Sequence, residues 1–564
     1  MDRLARLDPV TATMWGIADH DGDMTDYSPA GIQARGDHDR AALVALRRIL
    51  PSGESERVAA EVMAERLSIA LEQYDAGERL RDLNPVFSPL QLIRRCFDLM
   101  PTETAEHWQA VATRLAAVPE ALRGAQESLR AGAATGTVAA RRQVLACAEQ
   151  ARVWGGLTNG ALPFFAELVA RYDVRDNVDH SLRRALEAAA SAATEAYAEA
   201  SRFLCEVYAP AAGDDDPVGP ERYAQWARAF NGADVDLVDT YRWGWDELHR
   251  IEAEMARVAR TIMPGEPIGA VMDMLDADPE RSIQGVGEFR RWLQELMDAT
   301  IAALDGVHFH IPERIRRIEA MIAPDGGAAA MYYTPPSEDF VRPGRTWYPT
   351  LGRTRFPLWG EVSIAYHEGV PGHHLQLAHV RHLGGRLNRF QRTLAFVSGH
   401  AEGWALYAER LMGELGYLEP PEYELGMLRA EALRACRVVV DIGMHLQLRI
   451  PASERFSAGA TWSPELARAF LVEHTHFTEE FLSSEIDRYL GMPGQAISYK
   501  VGERVWLAAR DEARRRLGPA FDLRAFHCAA LDLGPMGLDQ LAREIAGWST
   551  RGEATDAVSA TDST

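Results

Sequence analysis

Apolar residues recur three and four positions apart through most of the chain, which is the spacing of one face of an α-helix. The segment from Ser181 to Tyr208 is rich in Ala, Leu, Arg and Glu, which favour helix, and it begins at a serine that can cap the helix. A second segment of this kind runs from Val235 to Arg260. The pattern therefore predicts a mainly α-helical protein.

The pattern changes between residues 323 and 360, where proline and glycine cluster around the sequence MYYTPPSEDFVRPGRTWYPT. This composition predicts turns around one or two short strands. We therefore expect a helical N-terminal half, residues 1–230, and a second helical half with a small sheet, residues 231–548. The polar, low-complexity tail, residues 549–564, is predicted to be disordered.

Composition excludes several classes of partner. A formal charge of −22 on 564 residues argues against nucleic acid, which needs clustered cations. The sequence holds no run of about 18 apolar residues and no signal pattern at its start, so we expect no membrane partner and a cytoplasmic location. Lys500 is the only lysine of the chain. The oligomeric state is left open.

The sharpest chemical signal is YHEGVPGHHLQ, which starts like the zinc-peptidase motif H-E-x-x-H but continues differently. His373 and His374 follow His367 by six and seven residues, about 9 and 10.5 Å along a straight helix, which is too far for one metal ion. Pro371 would break the helix, and Gly372 tolerates unusual backbone angles. We therefore predict a bulge that brings His373 to the metal, with His374 as the alternative.

Glu368 follows the first histidine directly, where zinc peptidases place the glutamate that acts as general base toward a metal-bound water. A catalytic zinc site needs a third protein ligand. Glu402, His400 and Glu409 in SGHAEGWALYAERL are the candidates. Glu402 is preferred, because a carboxylate on the next antiparallel helix is the arrangement in glutamate-type zincins. The predicted cofactor is zinc.

Six ordered motifs carry a wider resemblance, and they span nearly the full chain: LDPVTATMWGIADHDGDMTDYSP, RPGRTWY, YHEGVPGHHLQ, EGWALYAERL, RACRVVVDIGMH and DRYLGMPGQAISYKVG. In these motifs the chain resembles the bacterial family called domain of unknown function 885, which is similar to the glutamate-type zincins. The resemblance implies a large helical fold with a deep central channel, like thimet oligopeptidase and the Taq-type carboxypeptidases, and a small sheet next to the metal-binding helix. It also implies His367, His373 and Glu402 around zinc, Glu368 as base, and hydrolysis of small peptides.

Two motifs add candidate residues. Arg437, Asp441 and His445 recur every four residues on one helix face, where Asp441 would orient a metal-bound histidine and His445 would face the substrate. A structural ion pair between Arg437 and Asp441 is an equal alternative, and Arg437 is otherwise a substrate-binding candidate. Tyr499 is a candidate donor to the oxyanion, as in related helical zincins. Lys500 would bind a substrate carboxylate or serve the structure.

Departures from the family pattern keep other functions open. Pro349 follows Tyr348, a substrate-binding candidate, where the family leads us to expect asparagine. Met536 and Gly537 replace a more usual proline-leucine pair. A specialised amidohydrolase or lyase acting on a peptide-like metabolite is therefore the second hypothesis. A helical binding protein with a structural metal is the third, although such a protein has no need of Glu368 as a base.

Overall fold

The computed structural model describes residues 1–17, 19–158, 162–172, 179–323 and 330–549. Within these ranges the protein is mainly helical, as predicted, and it divides into two units. The first unit comprises Met1–Trp226, Asp441–Ala469 and Thr478–Pro493; the second comprises Ala227–Val440, Phe470–Phe477 and the described residues from Gly494 onward. The division after residue 230 stays a prediction, and residues 550–564 of the predicted tail lie outside the described ranges.

The described residues of the first unit form helices and no strand. Its helices are α1 (Asp2–Leu7), α2 (Pro9–Met14), α3 (Pro29–Leu46), α4 (Glu54–Asp75), α5 (Pro89–Leu99), α6 (Ala105–Ala134), α7 (Arg141–Trp154), α8 (Phe164–Ala170), α9 (His180–Phe203) and α20 (Glu479–Gly491). The long helices α6 and α9 pack along each other, and the core between them includes Leu115, Leu186 and Tyr197. Helix α9 begins one residue before Ser181, and its cap is the carboxylate of Asp179 instead of the predicted serine.

A buried arginine fixes the start of the chain in this unit. The guanidinium of Arg114 has no exposed surface and donates to the carbonyl oxygens of His20 and Asp23 and to the hydroxyl of Thr13. These hydrogen bonds offset the free-energy cost of burying the guanidinium charge. The first family motif, residues 7–29, therefore has a structural role around Arg114.

The second unit holds the remaining helices and all strands of the described ranges. Its helices are α11 (Leu237–Ile262), α12 (Ile268–Ala277), α13 (Val286–Leu304), α14 (Val362–Glu368), α15 (His373–His382), α16 (Arg389–Thr393), α17 (Ser398–Glu414), α21 (Ser498–Leu517), α22 (Leu523–Asp532) and α23 (Leu538–Gly547). Residues of both units occur in α10 (Pro220–Asn231), α18 (Pro421–His445) and α19 (Pro464–Thr475).

The strands confirm the predicted β-rich patch, although it holds three strands instead of one or two, and two further strands precede it. The strands are β1 (Ser282–Gln284), β2 (Ile318–Ile322), β3 (Tyr332–Thr334), β4 (Gly344–Tyr348) and β5 (Arg355–Pro357). Strand β4 is central in its sheet: it pairs with β2 in parallel, Ile318 opposite Gly344, and with β3 antiparallel, Tyr332 opposite Trp347. Strands β1 and β5 form a separate antiparallel pair.

Helices α17 and α21 approach so closely that their backbones touch. A Cβ atom at Gly403 of α17 would lie 2.3 Å from the carbonyl carbon of Gly502, and one at Gly502 of α21 would lie 2.0 Å from the oxygen of Gly399. Larger residues would push the helices apart. No helix of the described ranges combines the length and the apolar composition that a membrane span requires.

Candidate metal centre

The stretched motif forms two helices with a break between them, as the sequence predicts. Helix α14 ends at Glu368, and α15 begins at His373. In the break, the N–H of Gly372 donates to the carbonyl oxygen of Tyr366, and a Cβ atom at position 372 would lie 2.0 Å from the carbonyl oxygen of His367. Only glycine fits such an approach. The indole N–H of Trp404 on α17 donates to the carbonyl oxygen of Pro371 and fixes the break from outside, at 2.8 Å.

The break brings His367 and His373 together beside Glu402 of α17. Oε2 of Glu402 lies 3.4 Å from Nε2 of each histidine, and the two imidazole rings are nearly perpendicular. His367 is buried, and the side chains of His373 and Glu402 are 10% and 15% exposed. The structure therefore places the three predicted metal ligands in one cluster.

The spacing of these atoms suits a metal ion. A tetrahedral zinc site with bonds of about 2.0–2.1 Å places its ligand atoms about 3.4 Å apart, because the edge of a tetrahedron is about 1.63 times the bond length. Oε2 of Glu402 and Nδ1 of His373 are buried, and neither has a hydrogen-bond partner among the described residues. Two imidazoles and one carboxylate are also the donor types that zinc accepts. The residues present therefore fit the ion.

Glu368 lies next to this cluster with one oxygen available. Burial and the charge of Glu402 raise the pKa of Glu368 against the opposing effect of His373 and His367. Its Oε2 atom is buried and has no hydrogen-bond partner among the described residues. A carboxylate with a raised pKa and a free oxygen is suited to accept a proton and release it again.

A second layer of residues holds His367, and the sequence analysis did not identify it as such. Nδ1 of His367 lies 2.8 Å from Oε1 of Glu409, whose other oxygen accepts a hydrogen bond from Ser363. Arg434 lies 3.0 Å from the same Glu409 oxygen. A histidine that donates through Nδ1 presents Nε2 to the metal. Glu409, considered above only as a third ligand, therefore orients the first one.

The spacing between the two glutamates carried a signal for this role. Glu409 follows Glu402 by seven residues, so both project from the same face of α17, two turns apart. Burial acts to raise the pKa of Glu409, but the charge of Arg434 and the bond to His367 outweigh it and lower that pKa. Glu409 is thus a fully buried, charged residue, which in a folded protein is rare without a partner or a function.

His374 lies outside the cluster, although it is adjacent to His373 in sequence. Its Nε2 lies 2.6 Å from the carbonyl oxygen of Ile315, and its Nδ1 lies 2.9 Å from the hydroxyl of Tyr333 on β3. Burial lowers the pKa of His374 to about 4. Both ring nitrogens are engaged, so His374 joins α15 to the small sheet, and His373 is the residue placed for metal binding.

Three further predicted residues lie in the same unit as the cluster. The ring of Tyr499 stacks nearly parallel to that of His367, with centroids 6.5 Å apart. The guanidinium carbon of Arg437 lies 4.5 Å from the centre of the Tyr499 ring. Burial and the charge of Glu368 raise the pKa of Tyr348, which ends β4. Tyr499 therefore lies beside the candidate ligand His367, Arg437 lies beside Tyr499, and Tyr348 is close enough to Glu368 to be affected by its charge.

Lys500 is placed differently from a substrate-binding residue. Its ammonium group is fully buried and lies 2.8 Å from Glu247 and 2.5 Å from Glu431. A third carboxylate, that of Glu503, accepts a further hydrogen bond from it. The donors of this ammonium are therefore engaged within the protein.

His445 and Asp441 belong to the first unit. Nε2 of His445 lies 3.1 Å from the carbonyl oxygen of Tyr489 and 3.6 Å from Asp441, and burial lowers the pKa of His445 to about 4. Asp441 accepts a hydrogen bond of 2.7 Å from Tyr223. The carboxylate observed to orient a candidate metal ligand is that of Glu409. The orienting role of Asp441 and the catalytic role of His445 stay predictions.

These features define a mainly helical protein with a buried cluster of two histidines and one glutamate that suits a divalent metal ion. The chain belongs to the family described as bacterial protein of unknown function (DUF885), whose model matches residues 9–545. No curated protein matches it.

Two solved structures are similar over nearly the whole chain. The first, from Colwellia psychrerythraea and described as a "putative lipoprotein", has 25% identity and a TM-score of 0.82 and covers 97% of this chain and 96% of its own. The second, described in the same way and as of unknown function, comes from Shewanella oneidensis. It has 18% identity and a TM-score of 0.70 and covers 96% of this chain and 97% of its own. The likeness supports the fold described above.

Proposed function

We propose that this protein is a zinc-dependent hydrolase that cleaves amide bonds of small peptides. The observation that carries the proposal is the convergence of His367, His373 and Glu402, with Oε2 of Glu402 3.4 Å from both imidazoles, beside the free oxygen of Glu368. A cluster used only for structure would need the three ligands but not an adjacent carboxylate with an available oxygen.

A zinc ion held by the three ligands would supply a Lewis acid that polarises the substrate carbonyl and a water molecule. The residues of the chain would do the rest. Glu368 accepts a proton from the attacking water at Oε2 and donates it to the leaving amine. Tyr499 donates its phenolic hydrogen to the carbonyl oxygen as negative charge develops there. Glu409 keeps His367 oriented throughout.

A zincin-like fold with a central channel is part of the same proposal, supported by the helical architecture and by the small sheet against α15. Tyr348 lies at the end of the central strand of that sheet, near Glu368, where it would contact the substrate, and Arg437 would do so beside Tyr499. Lys500 has no place in substrate binding in this proposal. The cytoplasmic location stays a prediction.

Pro349 favours a second candidate, a hydrolase or lyase of a peptide-like metabolite. It follows the last residue of β4 and has no backbone N–H to offer. Both edges of β4 are paired, so a peptide substrate could only approach its C-terminal end, and it would lack one hydrogen bond there. A compact substrate would not need that bond. Turnover of a metabolite without cleavage of any peptide in a broad library would favour this candidate.

Metal analysis tests the ligand set first. We expect about one zinc per chain in the wild-type protein, and loss of zinc in the variants His367→Ala, His373→Ala and Glu402→Ala. His374→Gln is the matched control, because it changes an adjacent buried histidine outside the cluster and should retain zinc.

Peptide cleavage by the zinc-loaded protein, lost on chelation and restored by zinc, then tests the activity. Wild-type protein that takes up no zinc even after dialysis against the ion would overturn the proposal. Zinc that persists in all three ligand variants would place the metal elsewhere.

A further inference from the structure

The only lysine of the chain lies at the centre of a buried ionic cluster, which we call the Lys500 cluster. It consists of Lys500 with three glutamates and one arginine from four helices: Glu247 of α11, Arg410 of α17, Glu431 of α18 and Glu503 of α21. Lys500 is fully buried, and the three carboxylates offer oxygens within 4.8 Å of one another. Such close carboxylates repel each other unless a cation lies among them.

An ammonium group suits this position better than a guanidinium. It is compact and directs three donors toward separate points, whereas arginine is planar and pairs with carboxylates side by side. Apart from histidine, the chain uses arginine at every other basic position, and its one lysine is enclosed by three carboxylates from three helices, which Arg410 also contacts. The cluster therefore has a specific geometric requirement.

Lys500 is also the direct neighbour of Tyr499 in the first turn of α21. The backbone contact at Gly403 and Gly502 sets the distance between α17 and α21 but does not prevent rotation of α21 about its own axis. The carboxylates of α11 and α18 hold the ammonium from outside the helix, at 2.8 and 2.5 Å, and so oppose such a rotation. The same turn carries the Tyr499 ring that stacks on His367.

We infer that Lys500 is a positioning residue: through its three glutamates it fixes the first turn of α21 and thereby holds Tyr499 beside His367. The inference rests on the proposed function for its consequence in catalysis, because Tyr499 acts on the substrate only if the site is catalytic. The placement of Tyr499 itself is independent of activity and is measurable without it.

Fluorine NMR of protein labelled with 3-fluorotyrosine measures that placement. The chain has 16 tyrosines, and the resonance of Tyr499 is assigned by its absence in Tyr499→Phe. In Lys500→Met, which removes the ammonium and keeps an unbranched side chain, we expect this resonance to shift or broaden in the metal-free protein. The zinc content should equal that of the wild type. If the protein is active, kcat should fall about 100-fold with little change in KM, because a displacement of a catalytic group by about 1 Å typically lowers the rate by about that factor.

Arg510→Met is the matched control. Arg510 is a buried cation of the same helix, paired with Glu414 and three turns from Tyr499. This variant also removes a buried charge from α21, but it should leave the Tyr499 resonance unchanged. If Lys500→Met does not fold, the double variant Lys500→Met/Glu503→Gln removes one positive and one negative charge and serves for the same measurement.

A wild-type Tyr499 resonance in Lys500→Met, or an equal change in Arg510→Met, would overturn the inference and leave the Lys500 cluster a role in stability alone. Failure of the proposed function gives a different result. In that case the wild-type protein binds no zinc or cleaves no peptide, while the resonance still distinguishes Lys500→Met from Arg510→Met.

Discussion

The second unit contains two compact groups of possible metal-ligand atoms. One group comes from His367, His373 and Glu402, and the other comes from Glu247, Glu431 and Glu503. In each group the atoms lie within 4.8 Å of one another. The glutamate group contains a cation of its own, the ammonium of Lys500. In the histidine group, Oε2 of Glu402 faces two imidazoles and has no hydrogen-bond partner among the described residues. The groups thus differ in whether the chain supplies the positive charge.

The difference shows how to tell a structural cluster from a candidate metal site. Buried carboxylates need compensation, and a lysine that provides it makes the cluster complete without any ligand. Neutral imidazoles with one carboxylate are good metal ligands but do not complete each other's bonding. We therefore expect changes in the Lys500 cluster to affect folding and positioning, and changes in the histidine cluster to affect metal binding and chemistry.

The largest effect should follow Glu368→Gln, which keeps the size of the side chain and removes the base. We expect kcat for peptide cleavage to fall by about 10²- to 10⁴-fold, the usual contribution of a general base, while the zinc content is unchanged. Steady-state kinetics and metal analysis on the same preparation measure both. Glu361→Gln, a change of another buried glutamate just before α14, is the control and should stay active. Equal activity of Glu368→Gln and wild type would remove Glu368 from the mechanism.

Lys500→Met should give the next largest effect, on stability. The three carboxylates would lose the ammonium and keep only Arg410 as a shared cation. Breaking a buried ion pair typically costs about 3–5 kcal/mol in the free energy of unfolding. Urea unfolding of the metal-free protein measures this loss. His373→Gln, measured in the same metal-free state, should change stability far less, because His373 contacts one carboxylate and Lys500 contacts three. Similar losses in the two variants would abolish the distinction between the clusters.

Glu247→Gln should show a pH-dependent loss of stability. Burial acts to raise the pKa of Glu247, but Arg250 and Lys500 outweigh it and lower that pKa from 4.5 to about 2. Between pH 2 and 4.5 the carboxyl group of Glu247 is protonated more often in the unfolded chain than in the folded one. Its contribution to the free energy of unfolding is therefore complete above pH 4.5 and is lost as the pH falls toward 2. At about 1.4 kcal/mol per pKa unit, it amounts to roughly 3 kcal/mol at neutral pH.

The measurement compares the unfolding free energies of wild type and Glu247→Gln at pH 7, 4.5 and 3. The difference should be constant down to about pH 4.5 and shrink below it. A difference that grows on acidification would contradict the assigned sign, and no difference at pH 7 would show that the carboxylate contributes nothing to the cluster.

Glu409→Gln should have the smallest of these effects, on zinc affinity. The amide can still contact His367 but no longer carries the charge that strengthens it as a ligand, and such changes typically weaken binding by about 10- to 100-fold. Competition with a fluorescent zinc chelator measures the affinity. Glu414→Gln, which changes the last residue of the same helix, a partner of Arg510, should bind zinc like wild type. Equal affinities in all three proteins would exclude the orienting role.

Much of the candidate site was predictable because its chemistry is local in sequence. The proline and glycine between His367 and His373 predicted the break between α14 and α15, and the structure has that break. The helical character and the β-rich patch before the motif were also predictable, since periodicity and turn residues determine them. The cap of α9 was predicted two residues too late, at Ser181 instead of Asp179. Both residue types are good caps, and only the path of the backbone decides between them.

Contacts between distant segments were not predictable in the same way. The spacing of Glu402 and Glu409 indicates a shared helix face, but it does not show that Glu409 reaches His367, 42 residues away. The sequence also does not show that His374 binds Ile315 and Tyr333 instead of a metal. The role predicted for Asp441 as the partner of a metal ligand rested on helical spacing and stays a prediction. Its contact with Tyr223, 218 residues away, was not predictable from that spacing. Periodicity defines a helix face but not the element that packs against it.

The sequence by itself determined the residue types of this protein: a helical chain of the DUF885 family, a broken histidine motif with its glutamate, and a single lysine next to a tyrosine. Only the tertiary structure decided their partners, namely His373 with Glu402, His374 with the sheet, and Lys500 with three glutamates. The physical reason is that backbone preference and periodicity act over a few residues. Charge compensation and the bonding of buried polar groups depend on which helices meet, and that is a property of the whole fold.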